Sequence, residues 1–155
     1  MRIRLATIED LESLRAMASE FLKEEDEGGS PIKPGERSLA WLLRICALIV
    51  VGKTEGAVLI AEEGELPAGF TLFYVEPLGV DHRYEKVGRS LANYVRPEHR
   101  RTGVASDLIE AKEVRAKRMG CEAMYTTVRL SNEPSLGLVR KAGYAPDVVS
   151  FSKEL

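Results

Sequence analysis

Apolar residues recur along this chain with two periods, and the switches between them lay out its elements. Ile3 and Leu5 share one face of an extended Arg2–Ala6 segment, the period-of-two signature of a strand. From Thr7 the spacing lengthens, and Ile8, Leu11, Leu14, Met17 or Ala18, and Phe21 form one helical stripe reaching about Leu22. Thr7 is the expected cap, with Asp10 three residues on as an imperfect capping box. Lys23 to Arg37 (KEEDEGGSPIKPGER) combines dense charge with prolines and glycines and is expected to be a loop. Ser38 is the expected cap of a second helix through Leu39, Leu42, Leu43 and Cys46, while Ala47 to Val51 fits a helix end or a strand. Ala57 to Glu62 and Ala68 to Glu76 then read as a hairpin about a Gly64-Glu65 turn. Pro77 to Arg89 is an irregular connection carrying Asp81, His82, Arg83, Tyr84 and Glu85.

The stretch from Leu91 to Gly120 organises the rest. Leu91, Asn93 and Val95 alternate with Ala92 and Tyr94 as a strand, and Pro97 ends the ladder because it has no N–H to donate. Arg100-Arg101-Thr102-Gly103-Val104-Ala105 follows as a tight turn, and a long helix then runs to Gly120 without a Pro or Gly. A small-residue turn opening a helix offers unpaired N–H groups at the positive end of the helix dipole, and two arginines add charge: an anion site. Ala123 to Leu130 reads as a further strand. Asn132 caps a short helix with Pro134 in its first turn, Gly143 ends it, and Val148 to Lys153 reads as a last strand. The order β-α-α-β-β-β-α-β-α-β predicts one α/β domain over residues 1–155. Its mixed sheet is mostly antiparallel, with one right-handed parallel β-α-β crossover and helices on both faces.

Composition narrows the function without naming it. Twenty-two basic and 24 acidic side chains give a net charge of -2, so no global field points to nucleic acid. The longest apolar run, the 7 residues Ile45–Val51, falls far short of the ~20 that span a bilayer. The N-terminus lacks the apolar run of a signal peptide, and a cytoplasmic protein without a membrane partner is expected. Cys46 and Cys121 form neither a metal spacing nor a disulfide framework, so no metal is expected and both thiols read as small buried hydrophobes.

The phosphate-loop and dinucleotide glycine fingerprints do not occur. What does occur is V-x-P-E-x-R-x-x-G-x-A, as Val95, Pro97, Glu98, Arg100, Gly103 and Ala105. It closely resembles the acetyl-CoA signature Q/R-x-x-G-x-G/A of the GNAT superfamily of N-acetyltransferases. Downstream, Asn132, Ser135, Leu138, Gly143 and Tyr144 match that family's N-x-x-A/S-x-x-L-x-x-x-x-G-F/Y. The element order is also similar to the family's over nearly the whole chain.

The resemblance implies that acetyl-CoA is the donor and that the N–H groups of Arg101, Thr102, Gly103, Val104 and Ala105 chelate its pyrophosphate. Arg100 and Arg101 would add charge-assisted bonds; with Arg96 they read equally as a basic edge. The strand Leu91–Val95 would splay from Ala123–Val128, and pantetheine would pair with backbone groups of Tyr94 to Arg96. An N–H near Asn93 to Val95 would receive the thioester oxygen. Asn132 belongs to the second motif. The family's usual acid, a tyrosine after the motif leucine, is Val139 here, leaving Tyr144, Tyr125, Ser131 and Ser135 as nearby hydroxyls. Tyr144 also reads as a core aromatic, and the CoA thiolate can leave unaided.

The base is open among Glu76, at the end of a strand, and Asp81, His82 and Glu85 in the following loop; His99 reads as a surface residue. The run Glu24-Glu25-Asp26-Glu27 suggests a cationic acceptor, a small-molecule amine or a peptide or protein amine, and reads otherwise as a solvated charge run. The function implied is direct acetyl transfer to a primary amine in a ternary complex. The alternative is a non-catalytic acyl-CoA-binding sensor or partner-binding module, which Val139 favours. Homodimers are common in the family.

Overall fold

The structure, a computed structural model, describes residues 1–29, 35–151 and 153. Nine elements follow in order: β1 (Arg2–Leu5), α1 (Leu11–Glu27), α2 (Glu36–Val50), β2 (Gly56–Glu63), β3 (Leu66–Pro77), β4 (Lys86–Val95), α3 (Val104–Arg118), β5 (Ala123–Tyr125) and α4 (Glu133–Lys141). Their strands form one sheet in the order β1-β2-β3-β4-β5, antiparallel until the parallel β4–β5 pair. The mixed, mostly antiparallel sheet with its single crossover is the architecture the periodicity implied.

Alternation along β2, β3 and β4 sends successive side chains to opposite faces, and each face has its own cover. Val58, Ile60, Phe70, Leu72, Ala92 and Tyr94 meet Leu14, Met17 and Ala18 of α1 and Leu42, Cys46 and Ile49 of α2. On the other face α3 seals two separate clusters, Leu59, Ala61 and Val95 with Val104 and Leu108, and Ala57, Phe73 and Val75 with Ala116.

Several boundaries differ from the sequence reading. The α1 helix runs five residues past Leu22, through Lys23–Glu27, because its acidic end is held by arginines from across the molecule. Glu36 and Arg37 are already helical, so α2 starts before Ser38, and Ala47 to Val50 are its last turn. The middle of the expected loop, residues 30–34, lies outside the described residues. The irregular connection shrinks to residues 78–85, since β4 begins at Lys86. The strand expected over Ala123–Leu130 ends at Tyr125, where β4 stops offering a partner. Val148, Val149 and Phe151 are exposed and not in a strand, as is Lys153; Ser152 of that expected last strand lies outside the described residues.

One break in the ladder shapes the sheet. Leu72 pairs with Ala92 and Phe73 with Ser90, so Leu91 is an extra residue, a β-bulge in β4. The alternation expected for Leu91, Asn93 and Val95 therefore fails at Leu91. It packs with Ala92 and Tyr94 against the α1–α2 cluster, while Val95 faces α3. The β4–β5 ladder comprises Val87↔Ala123, Gly88↔Met124 and Arg89↔Tyr125, and stops one residue before Ser90.

The first strand is tied down by charge. Arg4 donates to both carboxylate oxygens of Asp10, at 2.7 and 2.8 Å, and to Glu62 at 2.9 Å. Asp10 also accepts from the Thr7 N–H at 2.7 Å, which completes the capping box. The Arg4 guanidinium and the Thr7 bonds outweigh burial and hold the Asp10 carboxyl at about 2. A carboxylate depressed in the folded state contributes stability above its unfolded value and loses it as pH falls through the folded one. We therefore expect Asp10→Asn to cost roughly 2 kcal/mol at neutral pH in denaturant unfolding, and its deficit against the unsubstituted protein to close between about pH 4 and pH 2.

Candidate active site

The site begins where β4 leaves β5. Arg96 N–H donates to Ala68 O at 2.9 Å, which fixes the phase of the β3–β4 ladder. Hydrogen-bonded pairs then fall at Phe70/Tyr94 and Leu72/Ala92, and the backbone groups of Asn93 and Val95 point away from β3. No described strand lies on that side beyond Arg89. The Val95 carbonyl accepts from Arg100 Nε at 2.8 Å, which confirms the direction it faces. The Asn93 side chain lies at this opening, its Oδ1 buried without a hydrogen-bond partner. The expected V between β4 and β5 is thus present, and it opens at the bulge.

At the far end of β4 the chain makes a 3-10 turn, Pro97–His99, and enters α3. Gly103 lies at φ 96, and Arg101, against the preference of a side-chain-bearing residue, at φ 64. Thr102 Oγ1 holds the turn by donating to His99 O at 2.6 Å. The N–H of Asp107 to Gly103 O, 3.0 Å, lies upstream of the helix's regular ladder, so the N–H groups from Arg101 to Ala105 have no acceptor in the helix. Left-handed residues interleaved with ordinary ones turn successive N–H groups to one side, a concave anion nest. Strain at an exposed arginine is itself a pointer to function. The N–H groups of Arg101, Thr102, Gly103, Val104 and Ala105, expected to share one turn, do so.

The arginines have separate jobs. Arg96 reaches Glu20 from Nε at 3.2 Å and Pro67 O at 3.1 Å, stapling the end of β4 to α1 and β3. Arg100 divides itself between Val95 O and Glu24 Oε1, the latter at 2.6 Å. Arg101 is exposed and makes no ion pair among the described residues. Tyr94 is buried with its ring toward α1 and its hydroxyl on Glu20 at 3.1 Å, and burial with that carboxylate pushes its pKa up to about 12. Its contribution to the opening is backbone.

The candidate proton-transfer groups are scattered. Glu76 is ion-paired with Arg89, whose guanidinium lies 4.7 Å from the centre of the Tyr125 ring. Arg89 and Tyr125 are the last pair of the β4–β5 ladder, so this trio marks the apex of the V. His82 is exposed in the β3–β4 connection, its Nδ1 accepting from Tyr84 N–H. The span Lys86–Ser90 separates it from the bulge by about 17 Å of strand. Asp81 and Glu85 are exposed in the same connection. The Tyr144 hydroxyl is buried without a hydrogen-bond partner; burial and then Glu113 of α3 raise its pKa, so it sits against α3. His99 lies 3.5 Å from Glu63. Asn132 caps α4 by accepting from Ser135 N–H at 3.2 Å.

Two features escaped the sequence reading. The Glu76–Arg89–Tyr125 group joins three segments, and no local pattern announces it. The acidic end of α1 is a crosspiece over the V. Glu24 holds Arg100 on the β4 side, while Glu25, 3.5 Å from Arg129, and the Gly28 carbonyl hold Arg129 on the β5 side. Shallow grooves lie on either side of Glu24, one lined by Glu20, Glu27 and Arg96, the other by Glu25, Arg129 and Asn132.

Comparison with known proteins places this geometry. The Acetyltransferase (GNAT) family matches residues 14–144. Aminoglycoside N(6')-acetyltransferase type 1 of Acinetobacter haemolyticus is 41% identical over 64 residues, 40% of this chain and 44% of that protein's length. The chain thus spans under half of that relative in the match. The crystal structure of aminoglycoside antibiotic 6'-N-acetyltransferase AAC(6')-IG from Acinetobacter haemolyticus superposes with a TM-score of 0.73 at 25% identity, covering 100% of this chain and 99% of that one. AAC(6')-Iy in complex with a bisubstrate analog, CoA-S-monomethyl-acetylneamine, has a TM-score of 0.76 at 22% identity, covering 99% and 98%.

The strain at the turn can be measured directly. Arg101→Gly should raise thermal stability by about 1 kcal/mol, and Gly103→Ala should lower it by about 1–2 kcal/mol, because glycine alone holds a positive φ without cost. Calorimetric melting of the two variants checks the signs.

Proposed function

The chain belongs to the acetyltransferase (GNAT) family, and on that premise we propose that it transfers an acetyl group from acetyl-CoA to a primary amine. Transfer is direct, within a ternary complex. The observation that carries this reading is the continuity of the open β4 edge with the strained nest at Arg101–Gly103. One stretch of backbone thereby offers amide groups for a pantetheine arm and N–H groups for a pyrophosphate.

In this reading Arg101, Thr102, Gly103, Val104 and Ala105 cradle the pyrophosphate through their N–H groups, with the Arg101 guanidinium free to pair with a phosphate. The backbone of Asn93 and Val95 pairs with pantetheine, and an N–H there receives the thioester oxygen as the amine attacks and negative charge grows on it. The tetrahedral intermediate collapses with cleavage of the C–S bond. The electron pair leaves on CoA sulfur, and the nitrogen sheds its proton. A thiol's ordinary pKa of ~8.5 lets the thiolate depart without a donated proton, which suits Val139. Among the candidate bases, position favours Glu76 at the apex of the V over exposed His82 and Tyr144 against α3.

For the acceptor we propose a cationic small molecule of the aminoglycoside kind. The acidic crosspiece over the V supports this, as does the acceptor class of the relatives. Glu24 and Glu25 also hold arginines, so the run is partly a brace, and Asp26 and the grooves beside Glu24 supply the remaining negative field.

Thiol release over a panel of amines tests the reaction, and CoA binding without turnover on any amine would favour the sensor reading instead. Glu76→Gln should lower kcat by roughly a hundredfold with KM for the amine nearly unchanged. Replacing Glu24, Glu25, Asp26 and Glu27 by their amides should raise KM for multiply charged amines several-fold at low salt and spare singly charged ones. An unchanged KM for the multiply charged amines would sink the cationic-acceptor assignment.

A further inference from the structure

Between the two apolar clusters under α3 lies a buried polar layer made of Thr71, Ser90, Asn93 and Lys112. Lys112 occupies the apolar stripe of α3, four residues after Leu108 and four before Ala116, and is 2% exposed. Among the described residues it has one hydrogen bond, from Nζ to Ser90 Oγ at 2.8 Å, and no ion pair. Desolvation pushes its ammonium down to about 8, against a small opposing contribution from Glu113. Thr71, fully buried, donates from Oγ1 to Ala92 O at 2.9 Å. Ser90 and Ala92 are the two residues that flank the bulged Leu91.

A buried lysine without a carboxylate is costly, and an apolar side chain would fill the same position at less cost. Burial here therefore calls for another reason, and the geometry supplies one. A bulge leaves a strand free to bend in more than one way. Here each flank of it is pinned by a polar side chain reaching out of the core, one from α3 and one from β3. The pinned point is also where β5 stops pairing and the open edge begins.

We propose that Lys112, with Thr71, clamps the Leu91 bulge and so sets the direction of the open β4 edge that receives the acyl-CoA thioester, making Lys112 a positioning residue for acetyl transfer. The proposal rests on the acetyl-CoA reading above. Lys112 touches no reacting atom in it; it acts through Ser90 and the backbone that follows.

The test uses the full chain with acetyl-CoA and a turned-over amine. Lys112→Met fills the same volume without the charge. It is expected to melt higher at neutral pH, yet to bind acetyl-CoA roughly tenfold more weakly by calorimetry and to lose kcat, with KM for the amine unchanged, the scale expected when a positioned backbone shifts by a fraction of an ångström. Ser90→Ala should reproduce the kinetic loss, Ser90→Thr should restore it by keeping the hydroxyl, and the Lys112→Met/Ser90→Ala pair should be non-additive. A stable Lys112→Met variant with unchanged acetyl-CoA affinity and kcat overturns the clamp alone. Failure of the unsubstituted chain to bind acetyl-CoA overturns the acyl-CoA reading and the clamp together. Should Lys112→Met fail to fold, Thr71→Val on the other flank must show the same acetyl-CoA-specific loss, and normal kinetics there overturn the proposal.

Discussion

A buried strand must place every N–H and C=O, and β4 satisfies that requirement unequally on its two edges. Toward β3 its ladder runs from Lys86 to Val95, interrupted once at Leu91; toward β5 it lasts for three residue pairs. The extra residue at Leu91 adds local twist and turns the second half of the strand out of β5's reach. Groups that would otherwise close the sheet are left for a ligand. One inserted residue thereby produces the opening, ends β5 at Tyr125, and shifts which side chains of β4 face α3.

Charge then organises what surrounds the opening. Three arginines from the two walls, Arg96, Arg100 and Arg129, converge on the acidic end of α1. Exposed pairs of this kind contribute little individually. Their effect is geometric, since they extend α1 past its last buried residue, Leu22, and carry its carboxylates over the cleft. The same bonds explain why a compositionally disordered-looking stretch is helical.

Periodicity made most of the fold legible. Helical stripes through Leu14 and Leu42, alternation in the hairpin, and the strand–turn–helix around Gly103 all appear where the pattern implied. The donor side of the site was legible as well, because it depends on small residues at fixed spacing in one segment. What escaped depends on contacts distant in sequence. The bulge at Leu91 is a register event between two strands, and nothing in either strand alone encodes it. Lys23–Glu27 is helical because of partners more than seventy positions away. Lys112 left a trace, a charged residue on an otherwise apolar stripe, which a helical projection of α3 exposes. Glu76, His82 and Tyr144 were gathered by loop position and motif, and the structure distributes them over three regions.

The two walls of the cleft also differ in how they are held. The β4 wall is central in the sheet, with α1 and α2 behind one face and α3 behind the other. The opposite wall is a three-residue edge strand continuing into α4, which has no buried residue. Local opening costs least where little apolar surface is covered. A molecule of this build grips its ligand asymmetrically: one jaw is anvil and the other is hinge, so entry and release follow the β5–α4 side while the chemistry stays registered to β4.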